Sequence, residues 1–255
     1  MTLQAYYFYY NTLTDEDKAV YDFLFDQWKH LKRHVDIGKM PHKKSIFRIA
    51  EAISFDHPDL FWIDYYNVDV EIRDGHKIVH MPYYFEDDEI IPYLKRAKAW
   101  RSTIASGINP DLPTKEKLRL VFDYFERRTT YGRESYKFSQ TIIGPCRIDN
   151  EVSVCEGIAK SLKYLCDLIG VPCIVLVGDV YFAPGPHHEG LHCWNIVEVD
   201  GVCRHLDGVR FLTEAKMFGR VLGNYLMTDE EAKVIMPYNN KHKYNWDEEI
   251  IPKCL

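Results

Sequence analysis

The sequence predicts an α+β fold: a helix that opens on a cysteine packs on an antiparallel sheet, preceded by a mainly helical part carrying one β-hairpin. Three observations carry this. Residues 153–170 repeat apolar side chains at helical spacing, two strand-like runs flank Asp200-Gly201, and the first half of the chain is dominated by runs of helical period. With 255 residues, 46% of them hydrophobic, the chain is long enough for a sizeable core. It is expected to divide into an N-terminal accessory region, residues 1–130, and a core region, residues 131–255.

Taken in order, Thr14 stands before an acidic first turn, and Tyr21, Leu24, Phe25, Trp28, Leu31 and Val35 share one face, which predicts a helix running to Val35. A second helix is expected over Lys43 to Ser54, closed by Asp56-His57-Pro58. Phe61 to Ile72 and His76 to Phe85, joined around Asp74-Gly75, read as a hairpin. Asp87 to Ser106 and Pro113 to Arg128 read as two further helices, the second burying Leu118, Val121, Phe122 and Phe125. The tyrosine pairs Tyr65-Tyr66 and Tyr83-Tyr84 are read as packing.

In the core region, Ile158, Leu162, Leu165, Cys166 and Ile169 define the apolar face of the cysteine-led helix. Ser153 followed by Glu156 matches a capping box, and Gly170-Val171-Pro172 supplies the stop. Cys155 then lies in the first turn, where the positive helix end and a cationic partner can bring a thiol from about 8.5 into the range of roughly 3.5–7.5. Gly157 permits another backbone to come close. Asp200-Gly201 is a short hairpin signal; with Val199 opposite Val202, Trp194 lies opposite Asp207 and His192 is its diagonal neighbour, about 7–8 Å away between backbones. On this register His192, Trp194, Ile196, Cys203, His205 and Asp207 share one face; Cys193, Asn195, Val197 and Leu206 take the other. A slip of one residue would send Asp207 to the wrong side. Beyond it, a helix is expected over Ala215 to Leu222, a capped start at Thr228-Asp229-Glu230-Glu231, and an extended packing segment from Tyr238 to Leu255.

The stretches VCEGIAKSLKYLCDLIGVPCIVLVGD, HCWNIVEVDG and HLDG resemble the nucleophile helix, histidine strand and aspartate strand of the transglutaminase-like superfamily, a branch of the papain-like thiol enzymes, in a stand-alone bacterial form. The resemblance covers Tyr131 to the C-terminus. It implies a papain-like fold with Cys155 as nucleophile, His192 as general base and acid and Asp207 as the residue that orients it. Gln140 is the candidate oxyanion donor, with Trp194 and Asn195 of the H-x-W-N motif joining it in the expected oxyanion and substrate-binding set. The implied chemistry is acyl transfer from an amide or peptide through a thioester, with hydrolysis favoured over amine crosslinking, and with no cofactor and no metal. One departure is evident: such proteins usually continue after the aspartate with threonine and an aromatic or acidic residue, whereas this chain has Gly208-Val209-Arg210-Phe211.

Two readings compete. His187, His188, Glu189, His192, Cys193, Cys203 and His205 bring borderline metal ligands together, and His188 and His192 have a zinc-like spacing, but Cys203 and His205, two apart on a strand, are poorly placed to clasp one ion. His187-His188-Glu189, after Pro184-Gly185-Pro186, reads instead as a lid or rim loop. The other reading is a non-catalytic peptide-binding module, which would have no need of a thiol, a base and an orienting carboxylate together. The net charge of −6 supplies no overall positive field to recruit nucleic acid or acidic membranes, so the expected partner is a peptide or protein substrate. The basic cluster Lys29-His30-Leu31-Lys32-Arg33-His34 is read as a helix C-terminal end. Seven cysteines, an odd number in a chain this large, point to reduced thiols and a cytoplasmic setting. The N-terminus lacks the pattern of a signal peptide, and no apolar run reaches the ~18 residues of a membrane span.

Overall fold

A computed structural model describes residues 5–132, 135–146, 152–181, 189–218, 225–235 and 249–255. The chain divides into two compact units, one formed by Tyr7–Arg96 and the other by Ala97–Leu255 with Met1–Tyr6.

The first unit opens with α1 (Phe8–Thr12) and α2 (Asp15–Lys29), and the Thr14 hydroxyl caps α2 by accepting the Asp17 N–H at 3.3 Å. Helix α2 stops at Lys29 rather than reaching Val35. Leu31 takes a left-handed φ of 60°, and the residues beyond form a strand, β1 (His34–Gly38). The reason is a change of period, since Val35 and Ile37 are buried while His34 and Asp36 are exposed. Helix α3 (Ile46–Asp56) is capped by Ser45 and starts three residues after Lys43. The hairpin forms as β2 (Asp69–Arg73) and β3 (His76–His80), shorter than expected, with Arg73 opposite His76; β1 joins the free edge of β3 to give the order β1-β3-β2. Two buried carboxylates tie the unit together. Asp56 accepts the backbone N–H groups of Tyr9 and Tyr10 and the Tyr21 hydroxyl, and Asp17 accepts those of Lys43 and Lys44.

Helix α4 (Asp87–Ser106) carries the chain from one unit to the next, and α5 (Thr114–Arg128) buries Leu118, Val121, Phe122 and Phe125 as its spacing requires. Short elements follow: β4 (Thr130–Tyr131), α6 (Tyr136–Ser139), α7 (Ile143–Cys146) and β5 (Val152–Ser153), with β4 and β5 paired in parallel. Then come α8 (Cys155–Ile169) and the antiparallel sheet β6 (Cys173–Tyr181), β7 (Glu189–Val199) and β8 (Val202–Leu206), with β7 central. The pairing runs without a bulge, Val199 opposite Val202 and Asn195 opposite Leu206, which is the predicted register. Helix α9 (Gly208–Phe218) begins at Gly208 rather than Ala215, because Asp207 caps it. Helix α10 (Asp229–Ile235) opens on a capping box in which Thr228 Oγ1 accepts the Glu231 N–H and Glu231 Oε2 accepts that of Thr228. The expected rim loop at His187-His188 and most of the segment from Tyr238 lie outside the described residues. Among the described residues no helix is long and apolar enough to cross a membrane.

The sequence predicts one buried face for α8, but the helix is buried on every side from Glu156 to Cys166, among β5, β6, β7, α5, α6, α7 and α9. Its charged residues pair along the helix one turn apart, Glu156 with Lys160 at 2.7 Å and Lys163 with Asp167 at 2.6 Å. Gly170 ends it in the left-handed conformation, φ 71°, its N–H bonded to Cys166 O. Gly157 is where Ser139 and Ser153 press on the helix: a Cβ there would lie 2.3 Å from Ser139 O and 2.4 Å from Ser153 Oγ. Gly157→Ala is therefore expected to destabilise by about 1–3 kcal/mol through overpacking, read as a lower denaturant midpoint; an unchanged midpoint would contradict this contact.

Candidate active site

Helix α8 begins without a side-chain cap. The expected capping box does not form, because the Ser153 hydroxyl is drawn to Ser139 O at 3.0 Å and the Glu156 carboxylate to Lys160. No capping side chain competes with Cys155, half-buried in the first turn, for the positive helix end.

Strand β7 lies along this helix in a fixed register. The Asn195 side-chain amide donates to Ala159 O on α8 at 3.0 Å and to Ile174 O on β6 at 3.1 Å. One helical turn back from Ala159 is Cys155, and two strand residues back from Asn195 is Cys193. Both steps span roughly 6–7 Å, so Cys193 is set beside Cys155, with His192 next to it. The Cys193 thiol and backbone N–H and the His192 ring are the groups that act on the ionisation of the Cys155 sulfur. The Cys193 thiol is the largest influence on Cys155; with His192 it outweighs the opposing effect of burial and brings Cys155 down to about 4. The same contact and burial push the Cys193 thiol well up.

His192 is 3% exposed, and its Nε2 lies 2.9 Å from Asp207 Oδ2. Burial alone would lower the imidazole, but the Asp207 charge and hydrogen bond, with Cys155, raise it to about 10. Burial would raise Asp207, and is overcome by His192 and by the Val209 and Arg210 N–H groups, which donate to Oδ1 at 2.9 and 3.3 Å and hold the carboxyl below its ordinary value. Asp207 therefore orients His192 with one oxygen and caps α9 with the other. Gly208, where the resemblance leads one to expect threonine, has no room for a side chain, since a Cβ would come 2.6 Å from Ile158 Cγ2. With Nε2 held by Asp207, Nδ1 is the ring nitrogen for proton exchange with the thiol.

Trp194 and Asn195, expected to meet substrate, are both fully buried. Asn195 clamps helix to sheet. Trp194 stacks on His192, ring centroids 6.0 Å apart and 16° from parallel, and its Nε1–H donates to His205 Nδ1 at 3.0 Å. His205 Nε2 in turn lies 2.9 Å from Asp229 Oδ1. These two residues, absent from the expected set, belong to the support of the site. The capping box at Thr228 was legible, but its placement against β8 was not. His205, Asp229 and Cys254 bring ligand-type atoms within 4.8 Å of one another. Indole nitrogen can only donate, so His205 Nδ1 accepts, the neutral ring carries its proton on Nε2, and that N–H donates to Asp229. No lone pair remains at Nε2 for a metal, and burial and the Asp229 charge push the Cys254 thiol up rather than toward a thiolate. Gln140 follows Ser139, whose carbonyl accepts the Val154 N–H at 3.0 Å, so it stands on the segment that abuts the start of α8.

No protein-family model matches the chain, nor does any curated protein. Among solved structures, it is similar to one described as a TGase, at 13% identity and a TM-score of 0.37, over 71% of this chain and 50% of that one. It is also similar to the periplasmic domain of TgpA from Pseudomonas aeruginosa, at 12% identity and a TM-score of 0.33, over 56% of this chain and 57% of that one. The chain thus spans about half the length of each.

A thiol brought down to about 4 is ionised above that pH, and an imidazole raised to about 10 is protonated below it, so the two form a thiolate–imidazolium pair in between. Alkylation of Cys155 by iodoacetamide is expected to reach half its plateau near pH 4 and to hold to about pH 10. His192→Ala should move the midpoint upward. A wild-type midpoint at the ordinary thiol value of about 8.5 would contradict the pair. Asp229→Ala should cost about 1–3 kcal/mol by leaving the buried His205 N–H without this acceptor, whereas Asp229→Asn, which keeps an acceptor oxygen, should cost less. Equal losses in urea unfolding would refute the hydrogen-bond chain.

Proposed function

We propose that the protein is a thiol-dependent acyltransferase acting on an amide or peptide substrate, hydrolysing it in preference to joining it to an amine. The observation that carries this is the grouping of Cys155, His192 and Asp207, with the imidazole Nε2 2.9 Å from a buried carboxylate and the sulfur in the first turn of a helix, where the ring acts on it. Each group has a distinct task. The Cys155 thiolate attacks the carbonyl carbon, and negative charge develops on the carbonyl oxygen near the start of α8, where the Cys155 N–H and the Gln140 side chain are the assigned donors. His192 gives its Nδ1 proton to the departing amine, leaving a thioester, and then takes a proton from the water that cleaves it. Asp207 holds the ring and stabilises the imidazolium throughout. The superfamily resemblance in the three motifs agrees with this assignment, and the absence of calcium-binding motifs in the sequence favours peptidase or amidase action over crosslinking.

The test is acylation with an activated ester followed by a panel of peptide amides, monitored by intact mass. Wild type should carry one acyl group on Cys155, Cys155→Ala none, and His192→Ala should acylate about 10²–10⁴ more slowly. Asp207→Asn should slow turnover while keeping an oxygen to cap α9, whereas Asp207→Ala should add a loss of about 1 kcal/mol from the missing cap. An unmodified wild type with Cys155 intact would sink the proposal in favour of a peptide-binding module.

A further inference from the structure

Cys193 has no step in the acyl-transfer scheme, yet it lies beside the nucleophile. The docking of β7 on α8 places it there. The Asn195–Ala159 hydrogen bond fixes β7 against α8, and stepping back along both elements brings Cys193 beside Cys155; in keeping with this, the Cys193 thiol acts on the ionisation of Cys155, and Cys155 on that of Cys193. Cys155 is half-buried and within reach of a small solute, while Cys193 is 4% exposed and is reached through it. Exposure and ionisation select the first sulfur to be oxidised, and proximity selects the second.

We infer that Cys155 and Cys193 form a reversible oxidative modification site, in which a peroxide oxidises Cys155 and Cys193 resolves the product as a disulfide. The Cys155 thiolate attacks one peroxide oxygen, forming a sulfur–oxygen bond as the oxygen–oxygen bond breaks, so that sulfur loses two electrons and the peroxide leaves as hydroxide or alkoxide. The Cys193 sulfur then displaces the sulfenic hydroxyl, which departs as water with the Cys193 thiol proton, and the sulfur–sulfur bond closes. A dithiol then reduces the disulfide to the two thiols and is itself oxidised to a cyclic disulfide. The consequence is protection: the linked sulfur cannot proceed to the irreversible sulfinic acid, and the site is off until reduced. Cys166 and Cys173 are a built-in comparison, since these thiols also influence one another but are fully buried, with Cys166 pushed well up by Cys173 and burial.

The inference shares the activated Cys155 thiolate with the proposed function, so iodoacetamide labelling of the reduced protein is measured alongside it. Reduced wild type is treated with hydrogen peroxide and digested without reductant. The expected product is a peptide pair linked through Cys155 and Cys193, with labelling of Cys155 abolished and at least nine-tenths restored by dithiothreitol. In Cys193→Ala the sulfenic acid at Cys155 should be trapped by dimedone, and, without the trap, a second equivalent of peroxide should carry it on to the sulfinic acid, so that labelling stays lost after dithiothreitol. Fast labelling of reduced Cys155 with no linked peptide, or a linkage of Cys166 to Cys173 in its place, overturns the inference while leaving the acyl-transfer reading standing. Formation of the linkage in a protein that no substrate acylates upholds it without that reading.

Discussion

The candidate site depends on one side chain outside the Cys155, His192 and Asp207 group. Asn195 reaches from β7 to backbone carbonyls on both α8 and β6, and this double bond sets the helix at one height along the sheet. The positions of Cys155, Cys193 and His192 relative to one another follow from that height. A fully buried amide is costly to leave unmatched, so the donated bonds act as a strong local constraint. Gly157 and Gly208 make the same docking possible from the other sides, by letting a carbonyl and a helix start approach where any Cβ would collide. The nucleophile helix is accordingly enclosed on all sides rather than laid on a surface.

Enclosure would by itself neutralise the site, because burial disfavours both a thiolate and an imidazolium. Ionisation survives through pairing. Asp207 overrides the effect of burial on His192, and the Val209 and Arg210 N–H groups and His192 override it on Asp207. The Cys193 thiol, together with His192, does the same for Cys155. The cost of desolvating charge is met by short hydrogen bonds, and the pair is shielded from the competition of water. The three groups are thus ionised because they are together, and removing one weakens the shift of its neighbours.

Behind the imidazole a second chain of contacts runs outward, from Trp194 to His205 to Asp229, and Asp229 N–H is bonded to Cys254 O near the C-terminus. The capped start of α10 brings Asp229 to β8, so the last elements of the chain serve the first strand residue of the site. The direction of the Trp194 hydrogen bond also settles the character of the His205 cluster, which is a packing relay rather than a set of vacant ligands.

Much of this was legible beforehand. The Asp200-Gly201 turn determined the β7–β8 register, and with it the meeting of His192 and Asp207, because two-residue turns leave no freedom in pairing. Helices α4, α5 and α8 and the caps at Thr14 and Thr228 followed from local spacing. Other expectations failed where a distant partner outcompeted a local one. Ser153 bonds Ser139 rather than capping α8, Val35 pairs with Val79 rather than extending α2, and Trp194 and Asn195 turn to the interior. The sequence by itself determined the helix that Cys155 opens, the register that brings His192 to Asp207 and the order of the elements that present them, since period, turn and cap are local properties. Only the tertiary structure decided that a second thiol lies beside the first, that a histidine and an aspartate from different elements brace the indole, and that α8 is enclosed, because those placements depend on how elements dock and not on their spacing along the chain.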